Sequence, residues 1–183
     1  MVLRFFRRRD DSSVLRVYKS IVSQARQPVF YTQLRVPDSV EGRFEMIVFH
    51  AFCVFHRLQG EDDRASKLAQ DVFDLFFVDM DQSLREQGIG DEGVRRRIRK
   101  MSESFFGRSQ AYSQALADGN DEALAEAFLR NIYAEPTQTL AASALVEYMH
   151  ATLSKLGRTP VQEIMSGSVS WAEVPADSAE ENC

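Results

Sequence analysis

The sequence has few of the residues on which disulfide and metal sites are built. It contains three histidines and two cysteines among 183 residues. Cys53 lies within a hydrophobic run and Cys183 ends a polar tail, so we do not expect a structural disulfide between them. A low cysteine count is typical of a reducing compartment. Composition therefore argues against a small disulfide-stabilised secreted protein.

Motifs of catalytic sites are also missing. There is no glycine-rich phosphate loop and no Gly-x-Ser-x-Gly turn. Glu147 and His150 have the Glu-x-x-His spacing of di-iron helices, but such a site needs a second copy and two further glutamates. His50 and Cys53 can share a helix face, yet two ligands do not make a zinc site. We predict that the chain is not an enzyme and has no catalytic residues, metal or cofactor.

Long hydrophobic runs and targeting segments are absent as well. The longest apolar run covers residues 46–55 and is interrupted by His50, whereas a membrane span needs about 20 apolar residues. The N-terminus, MVLRFFRRRDD, lacks the apolar core of about 7–15 residues that a secretory signal requires. We therefore expect the chain to meet any membrane protein from the soluble side.

The composition that is present is that of an ordinary globular protein. Apolar residues make up 44%, charged residues 27%, and the formal net charge is −5. Thirteen phenylalanines accompany one tryptophan, and phenylalanine fills a core without needing a hydrogen-bond partner. We predict a basic flexible N-terminus over residues 1–11, one helical domain over residues 12–166, and an extended or disordered acidic tail over residues 167–183. Trp171 is the residue through which this tail would dock.

Hydrophobic periodicity predicts an all-α, single-domain bundle of six to seven helices. Residues 39–58 are apolar nearly all round, which indicates a buried central helix. Residues 28–37, PVFYTQLRVP, have no second strand-like run to pair with, so we predict an ordered loop there. Helices are expected at about residues 12–25, 39–58, 62–87, 91–117, 121–132 and 137–156, with a short last helix after Thr159.

Two polar side chains are expected inside this bundle. Asp79 falls in the middle of the apolar stripe of the third helix, and Asn131 projects close to the stripe of the fifth. Buried polar groups need hydrogen-bond partners. We predict that both residues have structural roles.

A glycine-broken corner at residues 88–90 precedes a basic helix, for which Asp91 is the predicted N-cap. On a helical wheel Val94, Ile98, Met101 and Phe105 gather within a narrow arc. The other side of the helix is almost purely cationic and consists of Arg95, Arg96, Arg97, Arg99 and Lys100. One interpretation is an ordinary solvated face. The alternative is a docking surface for nucleic acid, acidic lipid or an acidic partner.

This corner also carries a resemblance to a known family. The segment DMDQSLREQGIGDEGVRRR, the following KMSESFFGR, and Ala111-Tyr112 resemble the ubiquinol–cytochrome c chaperone family. The upstream stretch FYTQLRVPDSVEGRFEMIVFHAF and the later RNIY (residues 130–133) match the same family in the same order. The resemblance covers roughly residues 12–157 and is greater to the compact bacterial form than to the longer mitochondrial one.

The resemblance implies an assembly chaperone for ubiquinol–cytochrome c reductase whose client is newly made cytochrome b. Mitochondrial relatives work with a small partner protein and associate with the ribosome, so a ribosome, an anionic membrane surface and a small partner are candidate partners here; DNA is not. Because no mitochondrial presequence is seen, we expect a bacterial cytoplasmic protein, peripheral at most to the inner membrane. For client binding we predict an apolar groove beside Phe30, Tyr31 and Phe49.

Two other functions remain open from the sequence. The basic helix also suits an RNA- or ribosome-binding module with no respiratory role. Asp62-Asp63 resembles the start of the magnesium motif of helical prenyl synthases, which leaves a small lipid or isoprenoid enzyme as an alternative. That motif lacks its later carboxylate, since Ser66 and Lys67 occupy the positions concerned.

Overall fold

The computed structural model describes residues 11–133 and 138–174. Within these ranges the chain forms eight α-helices and no strand, so the predicted all-α class is confirmed. The predicted N-terminal lead-in (residues 1–10), the break at Pro136 and the tail beyond residue 174 lie outside the described residues. The helices are α1 (Asp11–Ala25), α2 (Pro28–Thr32), α3 (Val40–Leu58), α4 (Asp63–Glu86), α5 (Asp91–Ala117), α6 (Asp121–Phe128, continued by a π-turn, Leu129–Tyr133), α7 (Thr139–Arg158) and α8 (Val161–Ser166).

Helix α3 is the centre of the bundle, as its sequence predicts. It packs against α1, α4, α5 and α7, and thirteen of its residues are buried. The Ser39 hydroxyl accepts a hydrogen bond from the Gly42 amide at 3.1 Å and caps the helix. A Cβ at Gly42 would lie 2.0 Å from the Pro37 carbonyl oxygen, so only glycine allows this close entry. The N-terminus of α3 is thereby fixed against the preceding turn.

Aromatic rings from distant parts of the chain meet around α3. The ring of Phe49 stacks on Tyr148 of α7 at a centroid distance of 5.8 Å and leans on Phe128 of α6 at 5.4 Å. Phe30 packs edge-on against both His50 and Tyr148. Offset and edge-on ring pairs add to the stabilisation given by apolar burial alone. Phenylalanine therefore joins α2, α3, α6 and α7 into one core.

His50 is a core histidine with both ring nitrogens hydrogen-bonded. Nδ1 lies 2.7 Å from the Met46 carbonyl oxygen and must donate, so Nε2 accepts from the Tyr148 hydroxyl at 3.1 Å. Burial lowers the pKa of His50 to about 4, which keeps the ring neutral. The neighbouring Cys53 is fully buried, and burial raises the pKa of its thiol well above the usual range. These two residues serve the core, and among residues 11–133 and 138–174 no further metal ligand is grouped with them.

The prediction of a loop over residues 28–37 is wrong for its first half. Pro28–Thr32 form the short helix α2, with the Gln33 amide donating to the Val29 carbonyl. Proline is common in the first turn of a helix, because an amide N–H at that position has no hydrogen-bond partner within the helix and its loss costs nothing. Residues 33–39 are irregular, and Arg35 has a φ of 53°. The aromatic, β-branched composition of the segment reflects its packing on the core and does not produce extended backbone.

The last described residues run back over the bundle after α8. Gly167 ends α8 with a φ of +97°, a conformation that favours glycine. The Trp171 indole Nε1–H donates to the Ser20 hydroxyl at 3.0 Å, and the Lys155 ammonium donates to the Trp171 carbonyl at 2.7 Å. The Trp171 ring also packs edge-on against His50, with the ring centroids 5.1 Å apart. Trp171 thus docks this irregular segment on α1, α3 and α7.

Candidate interaction surface

The α4–α5 corner is built by glycine and one bridging arginine. Gly88 has a φ of +80° and lets the chain turn after α4. The Arg85 guanidinium binds both Asp81, one turn earlier on α4, and Asp91, the first residue of α5. The predicted N-cap was therefore wrong by one residue, because Gly90 takes the extended N-cap conformation and the Asp91 carboxylate binds Arg85 instead. The corner holds α5 at a fixed angle to α4.

A cluster of aromatic rings joins α4 to α5 and extends from the core to the surface. Phe105 is buried and contacts Phe73 at a centroid distance of 5.2 Å and Phe55 of α3 at 6.0 Å. Phe73 also contacts Phe77 at 4.8 Å and Phe106 at 5.4 Å. Phe106 is 59% exposed despite these contacts. The cluster therefore ends in a supported phenylalanine ring that projects into solvent.

The predicted cationic residues of α5 are all exposed: Arg95, Arg96, Arg97, Arg99 and Lys100. Of these five residues, only Arg99 has an ion pair within the described ranges. Its partner is Glu103 at 3.6 Å, and both side chains are largely exposed. An exposed pair of this kind contributes about 0.3–0.5 kcal/mol at most. The side chains of Arg96, Arg97 and Lys100 have no hydrogen-bond or ion-pair partner among the described residues. The basic cluster is thus not used to hold the fold together.

Phe106 lies on the same side of α5 as several of these cations. At about 100° per residue, Arg95 and Phe106 differ by only about 20° around the helix, and Arg99 lies about 20° to the other side of Phe106. Arg96 and Lys100 complete an arc of about 140°, whereas Arg97 lies nearer the buried side. We call the set Arg95, Arg96, Arg99, Lys100 and Phe106 the α5 outer face. Phe106 was not among the residues predicted for this surface, because its neighbour Phe105 fits the core stripe. The small angle between Phe106 and Arg95 on the helical wheel is the signal that could have placed it there.

The predicted client groove does not exist as proposed. Phe30 and Phe49 are both 0% exposed and are enclosed by rings of α3, α6 and α7. Tyr31 is half-buried, and its hydroxyl donates to the Ala25 carbonyl at 2.7 Å. The prediction is wrong for Phe30 and Phe49 because both rings fill the domain's own core. They have no surface left for another chain.

Asp79 and Asn131 make structural hydrogen bonds but are less buried than expected. Asp79 is half-buried, and its carboxylate accepts from the Tyr18 hydroxyl of α1 at 2.7 Å. Burial and the adjacent carboxylate raise the pKa of Tyr18 far above its usual range. Asn131 is also half-buried, and its Nδ2 donates to the Ala127 carbonyl at 2.8 Å, one turn earlier. Their placement on the apolar stripes is right, but full enclosure is not.

The most enclosed ionic pair was not foreseen. The Arg108 guanidinium of α5 donates two hydrogen bonds to the Glu45 carboxylate of α3, at 2.5 and 2.6 Å. Burial raises the pKa of Glu45 to about 7, while the positive charge of Arg108 opposes the rise. The pair links α5 to the central helix. We assign it a structural role.

The described residues contain no group of three or more histidine, cysteine, aspartate or glutamate side chains placed to hold a metal ion. Within the same ranges, no helix combines the length and the hydrophobicity needed to cross a bilayer. We therefore take the α5 outer face as the candidate interaction surface, because it presents several cations and one aromatic ring to solvent.

Comparisons with known proteins give one consistent result. A family model described as ubiquinol-cytochrome C chaperone matches residues 32–171. A Xenopus laevis protein named ubiquinol-cytochrome-c reductase complex assembly factor 1 is 21% identical over 161 residues, which cover 87% of this chain and 80% of that protein. The crystal structure of the Cbp3 homolog from Brucella abortus is 41% identical, with a TM-score of 0.82 over 90% of this chain and 91% of that one.

Proposed function

The chain belongs to the ubiquinol–cytochrome c chaperone family, and from this premise we propose that it binds newly made cytochrome b from the cytoplasmic side during assembly of ubiquinol–cytochrome c reductase. Assembly of the reductase is the general role of the family. The identity of the client and the side of the membrane are the parts that we propose. We further propose that the action is non-enzymatic, in keeping with a chaperone.

The observation that carries the proposal is the extent of the likeness. The family match runs from residue 32 to residue 171, so it includes the central helix, the α4–α5 corner and the docked Trp171. The Brucella abortus structure agrees over 90% of the chain. A likeness confined to a few helices would support the fold alone. One that extends over most of the bundle also supports the role.

The α5 outer face is the part of the molecule that we assign to binding. A chaperone of a membrane protein must work beside a ribosome, a membrane or both, and each has an anionic surface. Exposed basic side chains without partners are attracted to such surfaces with little loss of internal stabilisation. A small partner protein, as in the mitochondrial relatives, is compatible with this assignment but no described contact identifies its site.

Deletion of the gene in its own host tests the role. We expect the membranes to lose the reduced-minus-oxidised signal of b-type haem and the cytochrome b polypeptide, while its transcript remains. Restoring the gene should restore both. Normal spectra and normal reductase activity in the deletion strain would contradict the proposal, and an RNA-binding role without a respiratory phenotype would then be favoured.

Charge reversal tests the assignment of the surface. We expect the triple variant Arg95→Glu, Arg96→Glu, Arg99→Glu to lose cosedimentation with ribosomes or anionic vesicles and to restore little cytochrome b in the deletion strain. The matched control reverses Lys19, Arg130 and Arg158, three exposed basic residues on other helices, with the same change in net charge. Equal binding by the two triple variants would remove the outer face from the proposal.

A further inference from the structure

We infer that the α5 outer face docks on an anionic phospholipid bilayer, with Phe106 entering the headgroup region and the neighbouring cations binding lipid phosphates. The inference rests on the proposed function, because it names the partner of the surface assigned there. The partner is specified as lipid, and Phe106 is the one residue that enters the bilayer. It also fixes the orientation, with α5 lying along the membrane plane.

Two neighbouring aromatic rings support Phe106. Its ring is held by Phe73 at 5.4 Å and by Phe105 at 5.8 Å, yet more than half of the residue remains in water. The ring is therefore already positioned before any partner arrives, and little side-chain entropy is lost when it becomes covered. The binding of a protein to a membrane interface increases with the apolar area buried there and with electrostatic attraction to anionic lipids, and Phe106 and the nearby cations can supply both.

The basic residues of the outer face favour an anionic partner. Arg95, Arg96 and Lys100 are exposed on the arc that contains Phe106, and each basic side chain near an anionic bilayer contributes about fivefold to its affinity. The whole chain has a net charge of −5, so the molecule taken as a whole is repelled by such a bilayer. The local reversal of sign thus orients the molecule as well as attracting it.

The arrangement favours a bilayer over RNA. Proteins that bind single-stranded RNA stack successive bases on several aromatic side chains along a basic groove. The α5 outer face has one aromatic ring, and the remaining rings of its cluster are buried or half-buried beneath it. One protruding ring suits shallow insertion, with Arg99 and Arg95 about two and three helical turns away on the same side of α5 and the Arg99 partner Glu103 between Arg99 and the ring.

The test places an environment-sensitive fluorophore at the proposed contact. Cys183 is replaced by serine, Phe106→Cys is introduced, and the thiol is labelled with NBD; Cys53 is buried and stays unlabelled. The control carries Leu140→Cys instead, at an exposed apolar residue of α7 that is 85% exposed. Both full-length proteins are mixed with vesicles of phosphatidylcholine alone or with 30% phosphatidylglycerol, a composition chosen to give about the surface charge of an anionic membrane.

We expect the NBD emission at position 106 to shift to the blue and to be quenched by nitroxide-labelled lipid, only with anionic vesicles. Position 140 should not respond. Because labelling replaces the ring, unlabelled Phe106→Ser is measured separately and should bind the same vesicles about five- to tenfold more weakly, as expected for partial burial of one ring. Val78→Ser, at an exposed apolar residue of α4, is its control and should bind as the wild type does.

Three results would overturn the inference. The first is equal NBD responses at positions 106 and 140. The second is vesicle binding unaffected by Phe106→Ser. The third is binding of a structured ribosomal RNA fragment that is tighter than vesicle binding and is abolished by the same substitution. Each leaves the chaperone role standing if gene deletion still removes cytochrome b, so failure of the lipid contact and failure of the proposed function are separable.

Discussion

The interior around α3 and the α5 outer face contain the same kinds of side chain but use them in opposite ways. In the interior, Phe49 is fully enclosed and Arg108 donates two hydrogen bonds to Glu45. On the outer face, Phe106 projects into solvent and Lys100 has no described partner. Enclosed groups stabilise the fold, whereas exposed groups without an internal partner can bind another molecule. Substitutions in the two regions should therefore separate stability from binding.

The largest effect is expected from truncating a core ring. Phe49→Ala removes a ring that contacts Tyr148 and Phe128, and we expect the free energy of unfolding to fall by about 4 kcal/mol through lost burial and a cavity. Phe106→Ala, the matched change on the outer face, should cost less than about 1 kcal/mol. Urea denaturation followed by circular dichroism measures both. Similar losses for the two variants would abolish the distinction.

A slightly smaller effect is expected from breaking the buried ion pair. Arg108→Met leaves the Glu45 carboxylate without its cation, and we expect a loss of about 3 kcal/mol at pH 8. At pH 5.5 the loss should shrink, because Glu45 then carries a proton. Adding Glu45→Gln to the variant should recover part of the stability at pH 8. If the single and double variants unfold at the same urea concentration, the pair is not the cause.

The pH dependence of stability isolates the contribution of Glu45 within the interior. The pKa of Glu45 is about 7 in the folded protein and near 4.5 when unfolded, so the folded state holds the proton more tightly. Stability from this group is present below pH 4.5 and is lost as the pH rises through 7. We expect the unfolding free energy of Glu45→Gln, minus that of the wild type, to rise by about 3 kcal/mol across this window.

His50 titrates in part of the same window with the opposite sign. Its pKa is lowered to about 4 on folding, so its contribution is present above pH 6.5 and is lost as the pH falls. The ring is the same in the wild type and in Glu45→Gln, so it cancels in the difference between them. A flat difference between pH 4.5 and 7.5 would show that Glu45 is ionised throughout, held by Arg108.

The smallest effect on stability is expected on the outer face. The double variant Arg96→Gln, Lys100→Gln removes two charges that have no described partner, and we expect the unfolding free energy to change by less than about 0.5 kcal/mol. Vesicle affinity should nevertheless fall by about 25-fold, because two basic side chains are lost. Thermal melting and vesicle cosedimentation are the two measurements. A stability loss above 1 kcal/mol would mean that these cations support the fold after all.

The helices were predictable because their signals are local. The all-round apolar pattern of residues 39–58 identified the central helix, and Asp62 and Asn120 cap the helices that follow, as residue types of that kind do. The short helix Pro28–Thr32 was missed because five residues give too little periodicity to outweigh aromatic and β-branched composition. In a helix shorter than two turns, amino-acid composition is therefore a poor guide to the backbone conformation.

The site was less predictable because its features depend on distant contacts. Whether Phe49 lines a groove or fills the core is decided by Phe128 and Tyr148, which are far along the chain. The partner of Glu45 is 63 residues away, beyond any helical spacing. The cations of α5 could be predicted because a helical wheel uses the sequence of one helix alone. The exposure of Phe106 could not, because it depends on how much of α5 the packing of α4 covers. The division into residues 1–11, 12–166 and 167–183 remains a prediction.

The docking of Trp171 has a practical consequence for optical measurements. The sequence contains one tryptophan, so indole fluorescence comes from a single position. That indole rests against His50 and is hydrogen-bonded to Ser20, at the meeting point of the last described residues and the bundle. Its emission reports whether this segment stays attached, while far-ultraviolet circular dichroism reports the helices. Comparing the two signals during one titration separates detachment of this segment from unfolding of the helices, without any added label.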